Sequence, residues 1–171
     1  MVTSRRNFLE AGAGLASLIA AASRATASPA GQSPRMKFGG VDISRLVLGV
    51  NPFYGYAHFN NIYGQMMRDW YTPDRVMEVM HHAQEFGINA FNYVELGRGP
   101  QDWKRFVSEG GKLHLIPQVS ADVDTAKMVR ELKPLALQRQ GEVVDVDWQK
   151  GDMASVHEWC KMARQLGPLV G

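Results

Sequence analysis

The sequence predicts an α/β fold in which helices cover a parallel sheet, and three observations indicate it. Strand and helix patterns alternate from residue 46 onward. The predicted strands are apolar at consecutive positions, which is typical of strands buried on both faces of a sheet. Each predicted helix has its own start or stop residue, so the alternation does not depend on hydrophobicity alone. Alternating units of this kind favour parallel pairing of the strands.

The first elements are a hairpin and a strand, followed by the clearest helix of the chain. Residues 36–45 predict a short hairpin that turns at Gly39-Gly40 and leads into an apolar strand over 46–50. Thr72 is a favourable N-cap with a proline after it, and Gly87 is a favourable stop, so a helix is predicted between them. Its expected buried face has the three-four spacing of one helix side and comprises Val76, Val79, Met80, Ala83 and Phe86.

The rest of the chain repeats the alternation of strand and helix. Gly110-Gly111 is a turn signal, Pro134 stops a helix, and Asp152 is a candidate N-cap. The elements that these signals separate are a strand over 88–94, a helix over 100–108, a strand over 112–120, a helix over 124–133, a strand over 135–138, a helix from about 152 to 166, and the opening of a strand at 168–171.

The unit length predicts a partial TIM (β/α)8 barrel, the N-terminal half, over residues 36–171. After the hairpin the chain holds about four and a half units, close to the ~30 residues per unit of a barrel of about 250 residues. Because the last strand opens without continuing, we expect a truncated reading frame or a gene fragment. An open flavodoxin-like sheet, or a half-barrel that pairs with a second copy, is the alternative. The unpaired sheet edge predicts self-association and poor solubility.

Residues 1–27 predict a twin-arginine signal peptide, and residues 28–35 predict a linker. Arg5-Arg6 is followed by Phe-Leu, an apolar run over 11–22 and Ala25-Thr26-Ala27. The twin-arginine translocase and signal peptidase recognise segments in this order. The apolar run is too short for a permanent membrane span. We expect a periplasmic or secreted protein; the alternative is an N-terminal helix that stays in the fold.

The charge of the chain argues against nucleic acid as a partner. The predicted signal holds Arg5, Arg6 and Arg24 against Glu10, so the totals of 19 basic and 17 acidic residues fall to 16 and 16 in the remainder. A formally neutral domain has no basic stripe with which to neutralise phosphates. Cys160 is the only cysteine, so no intrachain disulfide can form and the fold depends on its core.

In barrels of this kind the site is built from the loops that follow each strand, which points first to residues 51–71. This segment holds four of the five tyrosines of the chain and suits a small polar substrate such as a carbohydrate. Its catalytic candidates are Tyr54 and His58, and its binding candidates are Asn51 and Tyr56. The alternative is that the aromatic residues cap the barrel, with a short helix in the core formed by Ile62, Met66, Met67 and Trp70.

The later strands end in further polar residues. Glu95 follows the second strand and is a catalytic candidate, because a carboxylate at that end is well placed for acid–base chemistry. The binding candidates on these strands are Asn92, Gln118, Gln138 and Arg139. The other histidines, at positions 81, 82, 114 and 157, are expected to be structural or exposed to solvent.

The sequence predicts no metal site. Carboxylates that cluster after the fourth strand could hold a hard cation, but Asp152 is expected to cap a helix and residues 143–147 to form a short extended segment. The clustered carboxylates are Glu142, Asp145, Asp147 and Asp152. The sequence also lacks a phosphate loop, a dinucleotide glycine motif and a nucleophile elbow.

Residues 36–95 resemble the opening of the aldo/keto reductase superfamily. The similarity lies in the hairpin, in Ile43-Ser44-Arg45-Leu46-Val47-Leu48-Gly49 and in Gly87-Ile88-Asn89-Ala90-Phe91-Asn92. The resemblance implies a (β/α)8 barrel and nicotinamide-dependent reduction by an Asp, a Tyr, a Lys and a His. Residues 51–55, Asn-Pro-Phe-Tyr-Gly, are also similar to a segment of exported, sugar-associated barrels.

The catalytic residues of that family do not transfer to this chain. Asn92 stands at the aspartate position, Gln118 where a lysine is expected, and Gln138 in place of the histidine. A tyrosine needs the lysine to lower its pKa before it can protonate a carbonyl, so hydride transfer of that type is unsupported. The cofactor stays unknown, with NADP expected only for a full-length parent protein. Two functions stay open: an exported sugar-type oxidoreductase, isomerase or lyase, and a non-catalytic or truncated barrel.

Overall fold

The computed structural model describes residues 32–120 and 123–171, so the predicted signal over 1–27 and part of the predicted linker lie outside the described residues. The predicted mixed α/β class is confirmed, and the strands form small sheets, none of which closes on itself. The elements are β1 (Arg35–Phe38), β2 (Val41–Ser44), α1 (Asn51–Tyr54), α2 (Asn61–Trp70), α3 (Pro73–Glu85), β3 (Ala90–Phe91), α4 (Gly99–Ser108), β4 (His114–Leu115), β5 (Gln118–Val119), α5 (Thr125–Leu132), β6 (Ala136–Arg139), α6 (Gly141–Gln149), α7 (Ala154–Gln165) and β7 (Leu169–Val170).

β1 and β2 form the predicted hairpin, which is confirmed. The strands pair in antiparallel register, and Gly39 adopts a left-handed φ of 60° in the turn, which suits glycine. Ser44 N donates to Asn89 Oδ1 over 2.7 Å, and Asn89 N donates to Ser44 Oγ over 3.0 Å. This reciprocal pair fixes the hairpin to the amino-terminal end of the sheet.

The strands that follow the hairpin pair in parallel, each with its neighbour in sequence. β3 pairs with β4, β5 with β6, and β6 with β7. Two single parallel bridges, Leu48–Phe91 and Val94–Gln118, connect these short strands into one sequential order. Successive strands therefore place their carboxyl ends on the same side of the molecule.

Three predicted strands are shorter than expected. The strand over 88–94 is reduced to β3, Ala90–Phe91, with a single further bridge at Val94. The strand over 46–50 is reduced to the bridge at Leu48. Leu48 N donates to the Ala90 carbonyl over 2.9 Å, but Val50 already has helical backbone angles, φ −117° and ψ −14°, as the N-cap of α1, which ends the strand. The strand over 112–120 is divided into β4 and β5 around Pro117, because proline has no N–H to donate to a ladder.

The two faces of the sheet have different environments. One face packs under the helices in a single core, whose members include Phe91, Tyr93, Leu115, Val119 and Leu137 with Met80, Phe106, Met128 and Trp159. On the other face, Ala90, Ile116 and Ala136 pack on Ile43 of the hairpin. Side chains alternate along a strand, so residues two positions further on share this second face. These residues form what we call the amide row: Asn92, Gln118 and Gln138.

α3 confirms the predicted helix and both of its caps. Thr72 Oγ1 accepts a hydrogen bond from Arg75 N, and Gly87 ends the helix with φ 79°. The predicted burial of Phe86 is wrong: the side chain is 60% exposed, because this residue is the C-cap and lies beyond the face that packs on the sheet. Met77 is buried in its place.

Three further predictions about helices need correction. Residues 143–147 are helical in α6, not extended, and none of their alternating valines is buried. The Ser155 hydroxyl donates a hydrogen bond to Asp147. Asp152 does accept a hydrogen bond from Ala154 N over 3.0 Å, but the N-cap residue is Met153. α2 is the helix expected over 62–70, but it is not in the core. Its exposed side chains include Ile62, Met66 and Trp70.

Lys133 holds a left-handed conformation at the end of α5, with φ 47°. A residue with a Cβ is strained in this conformation, so Lys133→Gly should raise the free energy of unfolding by up to about 1 kcal/mol. Lys127→Gly, inside the same helix, is the control and should lower the free energy of unfolding by about 1 kcal/mol, because glycine is unfavourable within a helix. Urea denaturation followed by circular dichroism measures both. A loss of stability in the Lys133 variant contradicts the prediction.

Candidate functional site

A cavity of about 340 Å³ opens where the parallel strands end. It is lined by residues that follow four successive strands: Asn51, Tyr56, His58, Val94, Leu96, Gln118, Ser120, Gln140, Gly141 and Glu142. We call it the strand-end cavity. It brings together four of the residues that the sequence singles out, which are Asn51, Tyr56, His58 and Gln118. The others in the lining are the last residues of predicted strands or come shortly after them, and that position was the signal available for them: Val94, Leu96, Ser120, Gln140, Gly141 and Glu142.

The first loop reaches the cavity because a single turn of helix reverses the chain. α1 ends at Gly55, whose φ of 72° turns the backbone back, and Tyr56 N donates to the Asn51 carbonyl over 2.9 Å. A Cβ at Gly64 would lie 2.8 Å from the Gly55 carbonyl oxygen, so only glycine lets α2 approach this closely. The turn after α1 places Asn51 Nδ2 3.3 Å from His58 Nε2 at the wall of the strand-end cavity.

Of the amide row only Gln118 lines the strand-end cavity; Asn92 is not in the lining, and Gln138 lines a different cavity of about 370 Å³ beside the hairpin. Asn92 Nδ2 donates to Gln138 Oε1 over 3.2 Å, although β5 lies between their two strands. Within residues 32–120 and 123–171, the buried Asn92 Oδ1 has no hydrogen-bond partner. A buried acceptor without a partner is costly, so this oxygen carries an energetic penalty in the fold as it stands.

Arg139 supports the cavity without lining it. Its Nη1 donates to the Ser120 carbonyl over 3.1 Å, and its guanidinium carbon lies 5.3 Å from the ring centre of Trp159. The side chain is therefore held between the end of β5 and α7. Among the described residues it positions Ser120, which does line the cavity, so the structure gives Arg139 an anchoring contact rather than a place in the lining.

Glu95 lies in a different cavity from His58. It lines a cavity of about 240 Å³ together with Asp124, Lys127 and Glu131, and it accepts a hydrogen bond from the Tyr93 hydroxyl. Burial, and then this hydrogen bond, raise the pKa of Tyr93 well above its ordinary value. The two catalytic candidates are thus separated, with Leu96 in the wall of both cavities.

Tyr54 does not line the strand-end cavity. Its ring meets that of Tyr56 edge-on at 6.3 Å between centres. Burial raises the pKa of Tyr54 well above its ordinary value, and the Asp102 charge adds to this while Arg98 opposes it. A phenol with a raised pKa stays protonated at neutral pH and is a weaker acid than free tyrosine. The structure therefore gives Tyr54 a packing contact with Tyr56 and no activation for proton transfer.

A buried ion pair that the sequence reading missed holds the first loop in place. Asp102 is 3% exposed and accepts a hydrogen bond from Arg98 Nε over 2.8 Å, while Arg98 Nη2 donates to the Tyr71 carbonyl over 2.7 Å. The loop from α1 to the end of α2 is therefore fastened to α4. The spacing of four residues between Arg98 and Asp102 was the available signal, since such pairs meet on one helix face.

The described residues form neither a metal site nor a membrane span. In the two described stretches no group of three His, Cys, Asp or Glu side chains comes together in a way that could hold a metal ion. None of the helices in the described part of the chain is both long and apolar enough to cross a membrane.

Comparison with known proteins adds no relative. No protein-family model matches the chain, and no curated protein or solved structure is significantly similar to it. The resemblance of residues 36–95 to the aldo/keto reductase superfamily therefore stays a prediction.

Proposed function

We propose that this protein binds a small, neutral, hydroxyl-rich molecule, a carbohydrate, in the strand-end cavity. The observation that carries the proposal is the convergence of Asn51 and Tyr56 from one strand end and of Gln118 from another on one cavity. Amides donate and accept hydrogen bonds without charge, and a tyrosine ring offers an apolar surface beside them. The lining contains no lysine or arginine among the described residues, which favours a neutral ligand over an anionic one.

We further propose that the sheet is part of a (β/α)8 barrel of aldo/keto-reductase-like ancestry. Its sequential strand order differs from the 2-1-3-4-5 order of flavodoxin-like sheets. The bond between Asn92 and Gln138 joins side chains from alternate strands, as in the interior layers of such barrels. The arginine pair and Ala-x-Ala sequence support a further proposal, export through the twin-arginine translocase to the periplasm or the medium.

The separation of the catalytic candidates favours a second function, binding without turnover. His58 lines the strand-end cavity, whereas Glu95 lines another cavity and Tyr54 packs against Tyr56 without lining the strand-end cavity. General acid–base chemistry needs its groups within hydrogen-bond reach of one substrate. If the chain is an enzyme, His58 is the residue of the three that is placed to act on a ligand in this cavity.

Calorimetric titration of the purified chain with aldohexoses and inositol tests the proposed function. Gln118→Ala should weaken the affinity for the best of these ligands about tenfold, because hydroxyl groups of the ligand lose an amide partner. Gln101→Ala, on the exposed side of α4, is the control and should bind as the unaltered chain does. Absence of binding by every sugar at millimolar concentration, or equal affinity in the Gln118 variant, contradicts the proposal.

A further inference from the structure

The described lining of the strand-end cavity contains one carboxylate and no lysine or arginine. The carboxylate belongs to Glu142, in the first turn of α6. None of the ion pairs between described residues includes it. Arg139, the nearest cationic residue along the chain, directs its guanidinium to the Ser120 carbonyl and to the ring of Trp159 instead. The carboxylate of Glu142 therefore has no ion-pair partner within residues 32–120 and 123–171.

The start of α6 would by itself favour a negatively charged ligand. Gln140, Gly141 and Glu142, at the start of this helix, all line the cavity. The N-cap residue, Gln140, makes no side-chain cap hydrogen bond. The first N–H groups of a helix have no partner within the helix, and the positive end of the helix dipole attracts anions. Glu142 places a negative charge of the chain itself at the position where such a ligand would bind.

The cavity is small enough for one charge in its wall to act on the whole ligand. Its volume of about 340 Å³ is near the lower end of the roughly 300–1,000 Å³ that ligand sites span. A monosaccharide that fills this volume cannot hold an ionised group far from Glu142. Because the Debye length is about 8–10 Å at ordinary ionic strength, repulsion from the carboxylate reaches every position of the bound ring.

We propose that Glu142 determines the charge of the ligand: it excludes anionic carbohydrates, such as uronic acids and sugar phosphates, and leaves the strand-end cavity to uncharged ones. This inference rests on the proposed function of the cavity. The carboxylate accepts hydrogen bonds from the hydroxyl groups of a sugar, and such charge-assisted bonds are stronger than those between neutral groups. An ionised carboxylate or phosphate group of a ligand is repelled by the like charge of Glu142.

Titration with glucuronic acid and with glucuronamide tests the inference. The two molecules share the sugar ring and its hydroxyl groups, but one has a carboxylate where the other has an uncharged amide of the same size. The unaltered chain should bind glucuronamide about fivefold more tightly than glucuronic acid. Since Glu142 is exposed to solvent, this difference should shrink in about 1 M NaCl, which a difference in shape alone would not do.

Three variants separate the charge of Glu142 from its contacts. Glu142→Gln should abolish the difference between the two ligands, or reverse it, because the start of α6 is then free to hold the carboxylate of the ligand. Glu142→Asp keeps the charge and should keep the difference. Glu85→Gln is the control: it removes the same charge from the end of α3, which precedes β3 and so lies at the other end of the sheet from the cavity.

Equal affinity of the unaltered chain for glucuronamide and glucuronic acid overturns the inference and leaves the cavity proposal standing. A difference that persists in Glu142→Gln, or that is lost in Glu142→Asp or Glu85→Gln, has the same meaning. If an aldohexose binds and neither glucuronic acid nor glucuronamide does, the inference is also wrong, because shape rather than charge then decides what the cavity admits. Absence of binding by every sugar overturns the proposed function itself.

Discussion

Phe106→Ala is expected to lower the free energy of unfolding by about 4 kcal/mol, within the range for truncating a buried phenylalanine. The ring is completely buried between α3 and α4, with its centre 5.7 Å from that of Trp103 and 4.9 Å from that of His81. Removal of the ring leaves a cavity beneath both helices that neighbouring aromatic side chains cannot fill. Urea denaturation monitored by fluorescence measures the loss.

Phe59→Ala is the matched control, because it deletes the same side chain at a position that is 90% exposed. Its free energy of unfolding should stay within about 0.5 kcal/mol of the unaltered value. Similar losses in the two variants, or a Phe106 variant with nearly unaltered stability, contradict the packing described for the helix-covered face of the sheet.

Asp102→Ala is expected to lower the free energy of unfolding by about 2–3 kcal/mol. This loss is near the lower limit of what breaking a buried ion pair costs, because Arg98 is partly exposed. The aspartate is almost fully buried, and its removal leaves the Arg98 charge without its partner. Arg98 also holds the Tyr71 carbonyl, so the loop between α1 and α3 should lose order before the rest of the fold. Hydrogen exchange should therefore be faster in residues 56–71 under native conditions.

Asp74→Ala provides the comparison for a pair at the surface. Asp74 accepts from Arg105 over 2.7 Å, a bond as short as that of Asp102, but its side chain is 85% exposed. Ion pairs in contact with water contribute little, so no measurable change in stability is expected. Equal effects of the two substitutions, or unchanged exchange in residues 56–71 of the Asp102 variant, contradict the role of the ion pair.

The helices were more predictable than the strands because their boundaries depend on local chemistry. Thr72 and Gly87 bracket α3 as expected, and Asp124 caps α5 through Lys127 N. The strand over 46–50 was predicted from its apolar residues, yet whether a backbone pairs depends on where its N–H and C=O groups find partners. Leu48 pairs through both its N–H and its C=O with the segment around β3, whereas Val50 already has helical angles at the start of α1, which sequence periodicity does not reveal.

The sequence predicts which residues lie near the candidate site where their position at the end of a strand places them there. Gln118 and His58 line the strand-end cavity because parallel strands place the residues after them on one side of the molecule. The direction of each side chain depends on its neighbours in space. Glu95 is drawn to the Tyr93 hydroxyl and Tyr54 is packed beside Asp102, and both partners are buried residues that the sequence reading did not single out.

The packing of the hairpin on the sheet has a consequence for how the fold comes apart. Ile43 packs on Ala90, Ile116 and Ala136, and Ser44 is bonded to Asn89, so one hairpin residue shares a contact with three parallel strands. Detachment of the hairpin would therefore expose apolar side chains of all three strands to water at once.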